Sequence, residues 1–129
     1  MKTDNMESKV KVLVLITGSI AAVRIPLLVS QLVKENFEIK CVISKNAKKL
    51  IQPLSLSVLS RNSCILEKDQ WSHYQSTPLH IDLCNWADIL LIAPLTATTL
   101  SKWVTGNADG LIPSILIANF KPIIVAPAM

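Results

Sequence analysis

Residues 10–17 form a run of β-branched residues and leucines broken only by Lys11. A segment so uniformly apolar is covered on both faces, which predicts a central strand of a parallel sheet. It ends abruptly at Gly18-Ser19. Across 20–35 the apolar residues Ala21, Leu28, Leu32 and Val33 recur at roughly helical spacing, so a helix follows, with Pro26 in its early turns or kinking it. The unit then repeats. Residues 38–43 predict a second strand, Ser44-Lys45-Asn46 a turn into a short helical stretch reaching Ile51, and Pro53 the start of a helix through Leu59. Residues 63–66 suit a short third strand. Residues 67–78 are the most polar and least periodic stretch, read as a loop of a length that is usually functional. His80 follows as ordered structure resumes, and Asp82 and Asp88 flank a short turn. Residues 89–93 predict a strand stopping at Pro94, and 96–105 a helix closed by Gly106 at C′. A further helix over 111–118 leads to a last strand over 123–126.

Strands alternating with helices predict an α/β fold, a flavodoxin-like or Rossmann-like doubly wound parallel sheet in three layers, with ligands beyond the carboxyl ends of the strands. The 129 residues suit one domain over 10–129, preceded by a polar tail over 1–9. The chain stops at Pro127-Ala128-Met129 with no helix to cover the last strand, so the domain is expected to be incomplete at its C-terminus.

Composition narrows the picture. Half the residues are hydrophobic yet only 5% are aromatic, which suits strands buried between helices better than a sandwich or a disulfide-stapled module. The net charge of +4 is spread along the chain, only Lys45, Lys48 and Lys49 cluster, and Trp71, Trp86 and Trp103 do not alternate with basic residues, which argues against nucleic acid. A mild positive field suits an anionic small molecule equally well. Cys41, Cys64 and Cys84 are odd in number and widely spaced, so they read as buried free thiols in a reducing compartment, with neither a disulfide framework nor a metal site. The apolar stretch over 12–23 has the length of a signal-peptide core, but Asp4 and Glu7 acidify what precedes it and Gly18-Ser19 interrupts it. No run approaches the ~18 to 20 residues of a membrane span, and a cytoplasmic location is expected.

Several positions can carry chemistry. Gly18-Ser19, between a strand and a helix, can bring backbone N–H groups, a hydroxyl and a positive helix end to a phosphate, or simply turn the chain. With only Gly18, Gly106 and Gly110 in the chain, the glycine patterns that bind dinucleotides and triphosphates are absent, which favours a mononucleotide. Ser44, at the matching place after the second strand, can join such a phosphate site or cap the next helix. Ala93 to Thr99 is a strand end followed by small and hydroxyl-bearing residues, open enough for a flat ring to approach the backbone, while Thr96 also suits a helix cap. His80, at the edge of this region, is a candidate acid/base residue against a purely structural role; His73 lies mid-loop and is unassigned.

The order Gly18-Ser19-Ile20-Ala21-Ala22, His80-Ile81 with Leu83, Ala87-Asp88, Ala93-Pro94 through Thr99, Lys102, Gly106, Ala108-Asp109 with Leu111, and Ala126-Pro127-Ala128-Met129 resembles the homo-oligomeric flavin-containing cysteine decarboxylases. Within that family it is most similar to the phosphopantothenoylcysteine decarboxylase domain of a bifunctional coenzyme A biosynthesis protein. The resemblance implies FMN with its phosphate near Gly18, Ser19, Ile20 and Ser44, its ring near Pro94, Thr96, Ala97 and Thr98, and His80 as the active-site histidine. It implies a phosphorylated cysteine substrate whose thiol the flavin oxidises to a thioaldehyde, easing loss of the neighbouring carboxylate before the electrons return. It also implies flavin sites built between the subunits of a trimer. Three departures stand out. Thr98 replaces the family's usual Asn, exchanging an amide for a single hydroxyl. The Asn after Pro-Ala-Met is missing, and so are the substrate flap with its proton-donating cysteine and the ligase domain. Two rivals are a flavin prenyltransferase, whose first loop is richer in Gly and Ser, and a non-catalytic flavin-binding or regulatory subunit.

Overall fold

The computed structural model describes residues 8–71 and 77–128. Five parallel strands, β1 (Lys11–Ile16), β2 (Glu38–Ile43), β3 (Ile65–Leu66), β4 (Ile89–Leu95) and β5 (Ile123–Pro127), form one sheet in the order β3-β2-β1-β4-β5. The doubly wound α/β sheet is therefore present, with the strand order of the Rossmann type.

The sheet is double-sided because its strands are apolar on both sides. Val12, Val14 and Ile16 of β1 join Ile39, Cys41 and Ile43 of β2 on one face, while Leu13 and Leu15 join Val42, Leu90 and Ile92 on the other. Each large apolar side chain buried this way contributes about 1.5–3 kcal/mol, so two cores are assembled from one set of strands. The first face is covered by α1 (Ile25–Lys34) and α2 (Pro53–Ser60), through Ile25, Val29 and Leu56. The second is covered by α3 (Leu79–Trp86) and α5 (Leu111–Ala118), through Leu83, Cys84, Leu111, Ile112, Ile115 and Leu116. Packed against α5 is α4 (Ala97–Thr105), which buries no residue fully and lays Trp103 against the second core. Pro26 and Pro53 each stand in the first turn of a helix, where a missing N–H costs nothing. A 3₁₀ turn, Ile20–Arg24, takes up the start of the first expected helix, and another, Ala47–Lys49, forms the short helical stretch after β2.

Two expectations are corrected. Residues 79–86 are helix α3, where the sequence reading has ordered structure resuming around a short turn. His80 and Asp82 thus lie in its first turns, and only Asp88 lies beyond it, its carboxylate accepting the Lys11 N–H at 2.9 Å. The strand expected to stop before Pro94 continues through it to Leu95, because the register against β5 shifts between Ile92 and Leu95. A proline is tolerated at such an irregularity, where no ladder hydrogen bond is asked of it. Of the expected loop over 67–78, Glu67–Trp71 is a 3₁₀ turn; His73 lies outside the described residues. All three thiols are free, Cys41 and Cys84 buried and Cys64 partly so. Among the described residues no helix is long and apolar enough to cross a membrane.

Candidate functional site

After β1 the chain passes to one face of the sheet, and after β4 to the other. Between these two strands the connections diverge and leave a crevice at the carboxyl ends, the usual place for a ligand in such sheets. Thr17 fastens it. Fully buried at the end of β1, its hydroxyl donates to the Pro94 carbonyl and accepts the Thr96 N–H at 3.0 Å, tying β1 to the start of α4.

Gly18 follows because the loop after β2 presses on it. A Cβ at this position would meet the Asn46 Cβ at 2.5 Å and the Asn46 and Ala47 backbone at 3.1 and 3.2 Å. Ser44 continues β2, its N–H donating to the Ile16 carbonyl at 2.9 Å and its hydroxyl accepting from the Ala47 N–H at 3.1 Å. On the far side, Thr96 caps α4, its hydroxyl accepting from the Thr99 N–H at 3.3 Å. These loops enclose a cleft of about 480 Å³ on whose wall Gly18, Ser44, Asn46, Thr96, Thr98 and Lys102 all stand.

Of the candidate residues, Gly18, Ser44, Thr96 and Thr98 are thus brought together. Ser19 and Ile20 adjoin the wall without lining it: the Ser19 hydroxyl accepts from the Ala21 N–H at 3.3 Å, and Ile20 is 72% exposed. Neither Pro94 nor Ala97 lines the cleft: Pro94 is buried in β4, its carbonyl accepting from the lining Thr17, and Ala97 opens α4 between the lining Thr96 and Thr98. His80, half-buried in the first turn of α3, is not on the wall of this cleft.

Sequence reasoning did not single out Thr17, Asn46, Glu67 or Asp109 as site residues, although all four line the cleft. A polar residue closing an apolar run was a signal for Thr17. Glu67 carried none, because its role is set in three dimensions: its carboxylate accepts the Leu111 N–H at 2.7 Å and holds the start of α5 at the rim. Lys102 reaches Asp109, with Nζ 3.8 Å from the carboxylate and 3.3 Å from the main-chain carbonyl. The three thiols stand apart from this wall. Burial raises each thiol pKa, that of Cys64 to about 11 with help from Asp69, so none is disposed to form a thiolate near neutrality. A second hollow, about 430 Å³, lies at the opposite pole beside Lys11, Phe37 and Arg61, away from the carboxyl ends.

The chain is 39% identical to mouse (Mus musculus) phosphopantothenoylcysteine decarboxylase over 126 residues, covering 95% of the chain and 61% of that protein. It spans a smaller share, 31%, of the Borreliella burgdorferi coenzyme A biosynthesis bifunctional protein, with 34% identity over 96% of the chain. Among solved structures, a cysteine-to-serine mutant of PPC decarboxylase complexed with pantothenoylaminoethenethiol superposes with a TM-score of 0.81 at 36% identity, over 95% of this chain and 68% of that one. The FMN-binding protein AtHal3 gives 0.80 at 36% identity, over 95% and 67%. The flavoprotein family model matches residues 1–129. The chain belongs to the flavoprotein family.

Proposed function

We propose that the chain binds FMN in the cleft at the strand ends and forms the flavin domain, over 10–129, of a decarboxylase. Its substrate is 4′-phosphopantothenoylcysteine and its product 4′-phosphopantetheine, a cytoplasmic step of coenzyme A biosynthesis. One observation carries the reading: in a chain of this family, Gly18, Ser44, Thr96 and Thr98 converge on one cleft at the switch point of the sheet. Support comes from the named activity of the mouse relative and from the substrate-like ligand named with the PPC decarboxylase structure.

The residues present fit the cofactor. The Thr98 hydroxyl has no protein partner among the described residues, and the N–H groups of Ala97 and Thr98 open a helix, where no intrahelical acceptor exists for them. Lys45 stands on the same wall, while Lys102 is paired with Asp109, and the volume lies in the range of small-molecule sites. Gly18, Ser19, Ile20 and Ser44 are assigned to the phosphate side, and Pro94, Thr96, Ala97 and Thr98 to the ring side. When bound, the flavin supplies the two-electron oxidation of a thiol. The chain supplies placement: Thr17 holds the two sides of the crevice at fixed separation, and the Thr98 hydroxyl offers one polar contact.

His80 is assigned to proton handling at the substrate. Because it does not line the cleft of its own chain, it serves the cleft of a second copy, so the active form is a homo-oligomer, a trimer or a multiple of trimers. The same observation favours a second reading, a non-catalytic flavin-binding subunit. The experiment is purification with flavin absorbance recorded, followed by carbon dioxide release from the phosphorylated substrate by wild type and His80→Asn. A yellow protein whose release falls at least tenfold in the variant is the expected result. A yellow protein that releases nothing selects the subunit reading, and a chain that takes up no FMN removes both.

A further inference from the structure

β3 is only two residues long and lies at the edge of the sheet, paired with β2 alone. Its register, Val42 with Ile65 and Ile43 with Leu66, places Cys41 opposite Cys64 one step earlier along both chains. Residues in register on parallel strands point to the same face, and both cysteines belong to the first core, Cys41 inside it and Cys64 packed against its edge. Neighbouring strands lie about 4.7–4.9 Å apart, within the ~4.4–6.8 Å between Cα atoms that a disulfide bridges. Charge on Cys64 also adds to the raised pKa of Cys41, as that of a close neighbour does. Cys84 is set apart from the pair, in the core on the other face of the sheet.

The two thiols differ in access. Cys41 is fully buried, whereas Cys64 is half-buried just before β3, its N–H donating to the Ser57 hydroxyl at 2.8 Å. A two-residue edge strand is among the elements that open at least cost, and its opening uncovers both thiols together. Both strands lead to the cleft. Ser44 and Glu67, each three residues beyond its cysteine, stand on the cleft wall, and Glu67 holds the first N–H of α5. The spacing of β2 and β3 therefore sets where that part of the wall stands.

We propose that Cys41 and Cys64 are an oxidisable pair whose disulfide ties β3 to β2 and locks the Glu67 side of the cleft. The oxidant is hydrogen peroxide. The Cys64 thiolate attacks one peroxide oxygen and breaks the O–O bond, leaving a sulfenic acid and, once the departing hydroxide takes the thiol proton, water. The Cys41 sulfur then attacks the Cys64 sulfur, the S–S bond forms, and the hydroxyl leaves with the Cys41 proton as a second water. Two thiols thus lose two electrons and two protons while one peroxide becomes two waters. Because burial keeps both thiols protonated near neutral pH, the reaction runs through openings of β3 and is slow. A dithiol such as dithiothreitol reverses it by exchange. None of these steps depends on the FMN-decarboxylase reading.

The test treats the native chain with hydrogen peroxide, blocks the remaining thiols and digests with trypsin, which cuts after Lys40, Lys45, Arg61 and Lys68. The expected product is a disulfide joining peptides 41–45 and 62–68, absent after dithiothreitol and absent from a Cys64→Ser variant. Amide exchange at Leu66 and Leu111 is then compared before and after oxidation. In wild type it should slow on the order of tenfold at both, while the variant, whose substitution is at a half-buried position, should show no change with peroxide. Three results overturn the pairing: a disulfide to Cys84 or between two chains, a sulfenic or sulfinic acid on Cys64 with no cross-link, and no oxidation of either thiol. A cross-link that leaves exchange at Leu66 and Leu111 unchanged overturns the lock. A chain that takes up no FMN but forms the 41–64 cross-link removes the functional reading and leaves the pair standing.

Discussion

Gly18 shows how a single missing side chain shapes the site. The loops after β1 and β2 approach so closely that a methyl group would lie 2.5 Å from the Asn46 Cβ and 3.1 and 3.2 Å from the Asn46 and Ala47 backbone, tighter than ordinary contact. Gly18→Ala is therefore expected to cost about 1–3 kcal/mol, read as a lower midpoint of urea unfolding, and to loosen FMN binding. A variant as stable as wild type would mean that the loops part without penalty. Gly18 and Ser44 could be picked out because each follows directly on an apolar strand. The hold that Thr17 takes on Pro94 and Thr96 could not, since those partners lie 77 and 79 residues away. The thiols give a second test at this scale. Burial raises the Cys64 pKa from 9.0 to about 11, with the Asp69 carboxylate adding to it, and those of Cys41 and Cys84 rise for the same leading reason. An acid whose pKa is raised by folding adds stability below its unfolded value and loses it as pH climbs through the folded one. Stability is expected to fall between pH 9 and 11, and a thiol reagent at pH 8 should modify the native chain far more slowly than the urea-unfolded chain.

At the scale of elements, legibility followed the strength of the local signal. β2 and α5 were readable because each is a mostly apolar segment, Ile39 with Cys41 to Ile43 in β2 and Leu111 to Ala118 around Ser114 in α5, set between turns. α3 was not. It spans two turns, its Pro78 N-cap offers no side-chain hydrogen bond, and only Leu83 and Cys84 are fully buried, so neither a cap nor a clear stripe announces it. Its far end is held from outside, the Lys121 ammonium donating to the Cys84 carbonyl at 3.1 Å and to that of Ala87. A cation suits the negative end of a helix, but its source is the turn before β5, well separated in sequence. Glu67 does the converse for α5, bringing a carboxylate to the positive end. Glu67→Ala should cost about 1 kcal/mol and speed amide exchange at Leu111, while Glu67→Gln, which keeps an acceptor without the charge, should recover part of the loss. Equal exchange at Leu111 in wild type and Glu67→Ala would show that α5 needs no such clip.

At the scale of the whole molecule the outside is not uniformly polar among the described residues. Ile20 and Val23 in the 3₁₀ turn before α1 and Leu27 in α1 are 50–78% exposed, as are Leu54 and Val58 on the neighbouring α2. Along the opposite edge, Ile124 and Val125 of β5 and Phe120 before it face outward as well. Scattered apolar side chains are normal on a protein surface, but five on three neighbouring elements are of the kind that marks association. A second copy is the partner that the proposed function already calls for, because His80 stands away from the cleft of its own chain. Leu27→Glu/Leu54→Glu places two charges among these apolar residues without touching either core or the cleft. Light scattering after size exclusion should give wild type as a multiple of three chain masses and the variant as a smaller species with a similar circular dichroism spectrum. Carbon dioxide release should drop with the loss of assembly, even though every cleft residue is intact in each separate chain. A wild-type chain that stays monomeric at micromolar concentration, yet is yellow and active, would break the link between assembly and His80 and require the histidine to reach the cleft by movement of α3 within one chain.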